Sequence, residues 1–311
     1  MRTFFLGQIL VIMIFTSCDD QSIEGPKSYS KQDHGESVFV SSSSALGQVF
    51  FSDPRFSSDG RVACSSCHRA EFAFADTTAI SRGVWGRQGI RNTPTLVGLH
   101  DDILLMWDGG VTPLRHGSQG ILAALTAHRD QDMNPIDLEK KLRHFINYKL
   151  ILNRLYPRHS LAAGYLLSIR EYVREVATIS KTRDRSAKNS NGIKNNFQKN
   201  IINQGLVLFQ GKAGCISCHH GPSLTDGRFY NLGLDSVDPG RAAITLLEED
   251  RGRFRTPPLV FLKKTAPYFH NGSAQTLNNV LQHYINGAGE AGQISLNSTE
   301  QNALLAYLNS L

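Results

Sequence analysis

The chain has 311 residues, of which 41% are hydrophobic and 19% charged, with a formal net charge of +6. This length suggests two domains, and the composition is that of a globular protein. The lysines and arginines are scattered and are not interleaved with aromatic residues, which argues against nucleic-acid binding.

The N-terminus has the pattern of an export signal. Arg2 precedes an apolar run from Phe4 to Phe15, which is too short to span a bilayer, and small residues lead to Cys18. We expect residues 1–17 to be a lipoprotein signal peptide, with Cys18 acylated as the first residue of the mature chain. The alternative is an ordinary signal peptide that is cut nearby. Both interpretations predict export, and the lipoprotein interpretation predicts a periplasmic protein anchored to a bacterial membrane by lipid.

The signal peptide carries part of the positive charge. Loss of Arg2 lowers the formal charge from +6 to +5, so the mature chain is less basic than the pI of 9.1 suggests. Residues 18–44, which are rich in serine, lysine and aspartate, are predicted to be a flexible tether.

Two CxxCH motifs contain every cysteine except Cys18. The first runs from Cys64 through Cys67 to His68. This pattern attaches c-type haem, because two thiols can form thioethers to one haem while the adjacent imidazole reaches the iron. A zinc site built from cysteine and histidine is the alternative.

The second motif, Cys215, Cys218 and His219, repeats the first, and so does the sequence before it. Gly47-Gln48-Val49-Phe50-Phe51 and Gly205-Leu206-Val207-Leu208-Phe209 share the pattern Gly-x-Val-x-Phe and are predicted to be short helices facing a haem. We therefore expect two haem c groups, one in each of two domains, residues 45–180 and 201–311. The polar stretch 181–200 is the predicted linker.

Helical periodicity dominates the rest of the chain. Apolar residues recur at helical spacing over 136–155, 161–179 and 300–311, and Ser298 or Thr299 is the expected N-cap of the last segment. The strand signal is weak. The predicted fold is mainly α, with two cytochrome c-like domains that each bind one covalently attached haem c.

Further strings in the same order resemble the bacterial dihaem cytochrome c peroxidases and their MauG-type relatives, from about Leu46 to the C-terminus. The strings are Phe51-Ser52-Asp53-Pro54-Arg55-Phe56-Ser57, Arg91-Asn92-Thr93-Pro94-Thr95, Trp107-Asp108-Gly109, Arg255-Thr256-Pro257 and Thr265-Ala266-Pro267-Tyr268-Phe269-His270-Asn271-Gly272.

The resemblance assigns different roles to the two haems. It implies that peroxide reacts at the N-terminal haem, with His68 as proximal ligand, and that electrons enter through the C-terminal haem, with His219 as proximal ligand. Where the peroxidases have a histidine that ligates the resting N-terminal iron, this chain has Val84. We therefore expect that iron to be open without reductive activation.

The second haem also departs from the peroxidase pattern. Where the peroxidases carry a methionine ligand, the resemblance points to Tyr284, as in MauG-type proteins. A phenolate favours the ferric state and should lower the potential relative to methionine. The alternative ligand is the adjacent His283.

Peroxide cleavage needs an acid/base group and a polar partner beside the open iron. The resemblance places a Glu and a Gln after the Trp-Asp-Gly string, and the nearest counterparts here are Asp130 and Gln119. Asp130 could instead be a surface or helix-cap carboxylate. His116 and His128 are alternative acid/base groups.

Two more roles follow from the resemblance. Trp107 matches a tryptophan between the haems that can relay an electron, and it could also be a buried core residue. Asn92, with the backbone carbonyls of Thr265 and Pro267, matches a calcium site that links the domains, and oxygen ligands suit that cation.

Three functions are consistent with these features. The leading one is a dihaem peroxidase that consumes hydrogen peroxide with electrons from a small redox protein, either a cytochrome c or a cupredoxin. The second is a MauG-type oxidase that uses peroxide to oxidise side chains of a partner protein. The third is a plain electron carrier with both irons six-coordinate, for which the first haem would take a ligand from Met106, Met133, His100 or His128.

Overall fold

The computed structural model describes residues 40, 42–179, 196–234 and 237–311. Nine α-helices are formed within these ranges: α1 (Ser43–Phe51), α2 (Gln119–Thr126), α3 (Pro135–His144), α4 (Ile146–Leu155), α5 (Leu161–Ala177), α6 (Asn196–Gln210), α7 (Ala242–Thr245), α8 (Leu277–Asn286) and α9 (Ser298–Leu308). Strands β1 (Phe229–Tyr230) and β2 (Phe254–Arg255) pair antiparallel. The prediction of a mainly α protein with little strand is confirmed.

The predicted helices form, with two differences. The segment 136–155 is split at Phe145, whose φ of −98° and ψ of 89° end α3 and begin α4. The Phe145 ring packs in an aromatic cluster with Phe56 and Tyr148, so tertiary packing accompanies the break. The expected N-cap of the last helix is wrong: Asn297 caps α9, and Glu300 completes a capping box.

The buried apolar residues form two clusters. One contains residues between Val40 and Val176, and the other contains residues between Phe209 and Leu308. In the first cluster α1 packs on α5, and in the second α6 packs on α9. Each half of the described chain therefore has its own core.

A glycine lies at each of these helix crossings, in the repeated Gly-x-Val-x-Phe pattern. A Cβ on Gly47 would lie 1.9 Å from the Ser168 carbonyl oxygen, and a Cβ on Gly205 would lie 2.0 Å from that of Ala303. The pattern thus marks close helix contact at its glycine and burial at its phenylalanine, since Phe51 and Phe209 are both buried.

The helix boundaries bear on the expected division of the chain. Helix α1 begins at Ser43, so the last two residues of the expected tether are helical, and α6 begins at Asn196, inside the expected linker. Residues 1–39, which include Cys18 and the predicted signal peptide, and residues 180–195 lie outside the described residues. Within the described ranges, no helix has the length and apolar character needed to cross a membrane.

Arg91 joins the two halves of the molecule. Its guanidinium donates to Asp108 in the first half, and at 2.6 and 2.9 Å to the carboxylate of Asp238 in the second half. Burial opposes its charge, but the hydrogen bonds and ion pairs with both aspartates outweigh burial and raise its pKa. The adjacent Asn92 N–H also crosses the boundary, donating to the His270 carbonyl at 2.6 Å.

Candidate functional site

The two CxxCH motifs adopt the same local structure. Each begins with one turn of 3-10 helix, Cys64–Ser66 in the first and Cys215–Ser217 in the second. The backbone N–H of His68 donates to the Cys64 carbonyl at 2.9 Å, and that of His219 donates to the Cys215 carbonyl at 2.9 Å. Both cysteines and the histidine are thereby presented by one compact turn.

Each motif histidine is oriented by its Nδ1 atom. His68 Nδ1 lies 2.9 Å from the Phe74 carbonyl oxygen, and His219 Nδ1 lies 2.9 Å from that of Leu224. A carbonyl can only accept, so Nδ1 carries the proton and Nε2 keeps its lone pair. Burial lowers the pKa of both imidazoles, which favours the neutral form. A ring held by a carbonyl through one nitrogen is a typical metal ligand through the other.

Within the described residues, the four motif cysteines form no disulfide bond. Burial is the main cause that raises the pKa of Cys64 to about 12 and that of Cys215 to about 11. Neutral thiols spaced two residues apart, beside an imidazole with an available nitrogen, fit covalent haem attachment. The donor set therefore agrees with haem c at both motifs.

A cavity of about 450 Å³ lies beside the second motif. Cys215, Cys218 and His219 form part of its wall, and apolar side chains that include Phe209 and Leu281 form much of the remainder. A mainly apolar cavity with a few polar groups is typical of a cofactor site. These residues fit a haem held by Cys215, Cys218 and His219.

Tyr284 and His283 are adjacent on helix α8, but Tyr284 faces this cavity whereas His283 faces the Leu232 carbonyl. Tyr284 lines the cavity, and burial, with the nearby Cys215 and Cys218 as further causes, raises its pKa. His283 Nε2 lies 2.8 Å from the Leu232 carbonyl oxygen, and its ring packs edge-on against Phe269. Of the two alternative ligands, Tyr284 is the one on the cavity wall.

At the first motif, Val84 and Asp130 lie side by side. The Val84 N–H donates to the Asp130 carbonyl at 2.9 Å, and the Val84 side chain is fully buried. Asp130 is solvent-exposed by surface area, yet the protein atoms around its carboxyl desolvate it enough to raise its pKa. After burial, the negative charge of Asp130 is a further cause that raises the pKa values of Cys64 and Cys67, so its carboxylate lies near both thiols.

The other predicted acid/base and polar groups are not among the groups that act on the pKa values of Cys64 and Cys67, whereas Asp130 is. Gln119 is exposed at the first position of α2, with its side chain near Gly117. His116 and His128 are exposed as well and are engaged by arginines: Arg115 donates to His116, and Arg87 contacts His128. Asp130 is the predicted group that the structure brings to the first motif.

Gln131 is a neighbour of the first motif that sequence reasoning missed. It is buried, and its Nε2 lies 3.5 Å from Cys64 Sγ. A glutamine in a polar segment carries little signal by itself. The signal that could have found it is its place directly after Asp130 in a segment already singled out.

Trp107 connects the first half of the chain to the second cavity. It is buried on the cavity wall, and its indole N–H donates to the Asn92 carbonyl at 2.8 Å. Its carbonyl accepts the Arg255 N–H at 2.8 Å. Trp107 is therefore buried and bonded to residues of both halves, and its place between the haems stays a prediction.

Asn92, Thr265 and Pro267 line the same cavity. The Asn92 amide nitrogen donates to the Thr78 carbonyl at 3.1 Å and to the Ala79 carbonyl at 3.2 Å. Its amide oxygen is the atom available for a hard cation. Over the described part of the chain, no cluster of three or more His, Cys, Asp or Glu residues is arranged to hold a metal.

The alternative sixth ligands of the first haem are dispersed. Met133 is buried in the first core cluster, to which Cys64 also packs. Met106 and His100 are half-buried, and His128 is exposed. Of these four residues, Met133 is therefore the one that belongs to a packing cluster shared with a cysteine of the first motif.

Fully buried polar groups beside Trp107 were also missed. Burial lowers the pKa of Arg255 to about 10, and its Nε donates to the Met106 carbonyl at 3.2 Å. The His270 ring stacks on Phe254 with 3.5 Å between ring centroids, and burial lowers its pKa to about 4. Both residues belong to strings that suggested the family, but their burial depends on packing between the halves.

Two equivalent CxxCH turns, oriented imidazoles and a mainly apolar cavity define a protein that binds haem c in a mainly helical fold. The model of the di-haem cytochrome c peroxidase family matches residues 41–192. Cytochrome-c peroxidase IdrP2 of Pseudomonas sp. (strain SCT) is 30% identical over 302 residues, which cover 86% of this chain and 80% of the relative. The chain belongs to the dihaem cytochrome c peroxidase and MauG family, and it is a peroxidase-type oxidoreductase.

Other relatives span both branches of the family. Methylamine utilization protein MauG of Methylophilus methylotrophus is 28% identical over 282 residues, covering 86% of this chain and 81% of the relative. A solved MauG-like protein associated with microbial copper homeostasis has a TM-score of 0.73 and 25% identity, covering 86% of this chain and 89% of that chain. The diheme peroxidase BthA from Burkholderia thailandensis shares the fold, with a TM-score of 0.67 at 18% identity over 86% of this chain and 84% of that chain.

Proposed function

We propose that this protein reduces hydrogen peroxide at the haem on Cys64 and Cys67, with electrons delivered through the haem on Cys215 and Cys218. The observation that carries the proposal is the pairing of Val84 with Asp130 beside the first motif. A valine side chain has no donor atom for iron, whereas a neighbouring carboxylate can move a proton between the two peroxide oxygens. The first haem would supply the redox centre at which the O–O bond is cleaved.

Rapid mixing of the fully ferric protein with peroxide tests this assignment. We expect an immediate change in the haem absorption spectrum, because Val84 leaves the first iron open. If the spectrum changes only after one haem has been reduced, the first iron is blocked by another ligand and the proposal fails.

A MauG-type oxidation of a partner protein is the second candidate. Tyr284 on the cavity wall favours it, because His283 is bound to the Leu232 carbonyl instead. A phenolate ligand lowers the potential of the second haem and favours oxidised states. Replacement of Tyr284 by methionine should raise that potential, and an unchanged potential would refute tyrosine ligation.

Electron paramagnetic resonance of the resting ferric protein separates both enzymes from a plain electron carrier. One high-spin and one low-spin signal are expected for an enzyme with an open first haem. Two low-spin signals would mean that a residue such as Met133 ligates the first iron, and the chain would then be a carrier.

The two core clusters support a division into two haem domains, with boundaries near residues 45–180 and 201–311. We propose that Trp107 relays electrons between them, because it is buried against the second cavity and bonded to Asn92. We further propose calcium binding by the Asn92 amide oxygen and the carbonyls of Thr265 and Pro267. Calcium removal by a chelator should then lower the rate of electron transfer between the haems.

The proposed setting is the periplasm, with attachment to a bacterial membrane through acylated Cys18. The proposed partner is a small redox protein, either a cytochrome c or a cupredoxin, or a protein whose side chains are oxidised. Cys18→Ser should release the protein from membranes into the soluble fraction, which fractionation of expressing cells would measure.

A further inference from the structure

Trp85 is an exposed aromatic residue in a strained backbone conformation. Its φ of 54° and ψ of 23° lie in the left-handed region, and 53% of its surface is exposed to solvent. This conformation costs a bulky L-residue about 1–2 kcal/mol. An exposed tryptophan gains little burial that could offset such a cost, so the strained conformation points to a functional constraint.

The backbone and the indole of Trp85 are held by different neighbours. The backbone N–H of Trp85 donates to an Asp59 carboxylate oxygen at 2.8 Å, and the carbon at the centre of the Arg87 guanidinium lies 5.2 Å from the indole centroid. The same guanidinium donates to Asp132 at 2.7 Å. The indole is therefore held against a cation whose own position is set by a carboxylate.

The segment that carries Trp85 borders the first CxxCH motif. Ser81 lies close enough to Cys67 to oppose the rise in the pKa of its thiol that burial causes, and the Val84 N–H donates to the carbonyl of Asp130. The chain then reaches solvent at the next residue, Trp85. Trp85 thus directly follows Val84, whose backbone is bonded to Asp130, and its indole is exposed to solvent.

This arrangement is suited to one class of small molecule. An exposed indole offers a face for stacking on another aromatic ring. The adjacent guanidinium favours an anionic or hydroxyl oxygen on that ring. Phenols and hydroquinones have both features, and they are also readily oxidised by one electron.

We propose that Trp85 is the binding and electron-relay site for an electron-rich aromatic reductant, a phenol or hydroquinone, that is oxidised at the expense of peroxide. This role rests on the proposed peroxide reaction at the first haem. Each of two phenols gives one electron through the Trp85 indole and releases one proton. The two electrons and two protons convert one hydrogen peroxide into two waters, and two phenoxyl radicals are released.

The kinetic test compares hydroquinone oxidation by the haem-loaded wild type, Trp85→Phe and Phe197→Leu. Phenylalanine keeps a stacking face but is much harder to oxidise, so we expect kcat for hydroquinone to fall at least about tenfold while KM changes little. Phe197 is another exposed aromatic residue, at 77%, and its replacement should leave kcat unchanged. Equal hydroquinone oxidation by Trp85→Phe and wild type would overturn the proposal.

A second test needs no variant and no turnover assay. Wild-type protein is treated with peroxide in the absence of reductant, and its tryptic peptides are analysed by mass spectrometry. We expect the Trp85 peptide to gain oxygen, and we expect hydroquinone to suppress this gain. An unmodified Trp85 peptide in protein that has consumed peroxide would overturn the relay alone. Wild-type protein that fails to react with peroxide would refute the proposed function, and the relay with it.

Discussion

Replacement of Gly205 by alanine is expected to destabilise the second half of the molecule. The added Cβ would lie 2.0 Å from the Ala303 carbonyl oxygen and 2.6 Å from the Tyr307 Cβ. Because unbonded heavy atoms approach to about 3.5 Å, α6 and α9 must separate by about 1.5 Å. Overpacking of this kind costs about 1–3 kcal/mol, occasionally more, and the better helix propensity of alanine offsets about 1 kcal/mol. Because an approach of 2.0 Å is a severe overlap, the cost lies at the upper end of this range, and we expect a net loss of about 2 kcal/mol.

The effect can be measured by thermal unfolding of the haem-loaded protein, followed by far-ultraviolet circular dichroism and by haem absorbance. A loss of about 2 kcal/mol corresponds to a fall in melting temperature of about 4 °C or more. The haem signal should change as well, because α6 also carries Phe209, which lines the second cavity. Gly89→Ala is the matched control, with its nearest neighbour at 3.6 Å. A melting temperature equal to that of this control would refute the steric argument.

Three further outcomes are expected. Asp130→Asn should slow peroxide consumption by about 10²- to 10⁴-fold with intact haem spectra. Because desolvation raises the pKa of Asp130, the wild-type rate should fall as the pH drops through that raised pKa, and the rate of Asp130→Asn should not show this dependence. If Asp130→Asn consumes peroxide less than threefold more slowly than wild type, another group carries the proton transfer. Tyr284→Phe should abolish the low-spin signal of the second haem. If Tyr284→Phe keeps that signal and His283→Ala loses it, the ligand is histidine. Arg91→Met should lower the free energy of unfolding by about 3 kcal/mol in chemical denaturation, since two carboxylates lose their buried partner; a change below 1 kcal/mol would show that these ion pairs are screened by solvent.

Chemistry that depends on short sequence spacing could be predicted from the chain alone. Cys64, Cys67 and His68 lie within one turn, so covalent geometry brings them together in any fold that allows the turn. The repeated Gly-x-Val-x-Phe pattern likewise indicated two similar units, because a buried helix face follows from local periodicity. The helix at 161–179 was predictable for the same reason.

Features that depend on contacts between distant segments were not predictable. The break at Phe145 interrupts a stretch with unbroken helical periodicity. At the last helix, Asn297 is the N-cap although the next two residues, Ser298 and Thr299, are also good N-cap residues. Such choices depend on small differences in free energy that tertiary packing outweighs. Arg91 and Asp238 form their ion pair only because the two halves of the chain dock against each other.

The sequence by itself determined the haem-binding chemistry, the helical class and the family, because these are properties of residue type and local spacing. The tertiary structure decided which neighbours face each motif. It brought Asp130 and Gln131 to the first motif, and it turned Tyr284 toward the second cavity while binding His283 to Leu232. The physical reason is that adjacent residues on a helix point about 100° apart. Only the packing of α8 against its surroundings selects which of them meets the cavity.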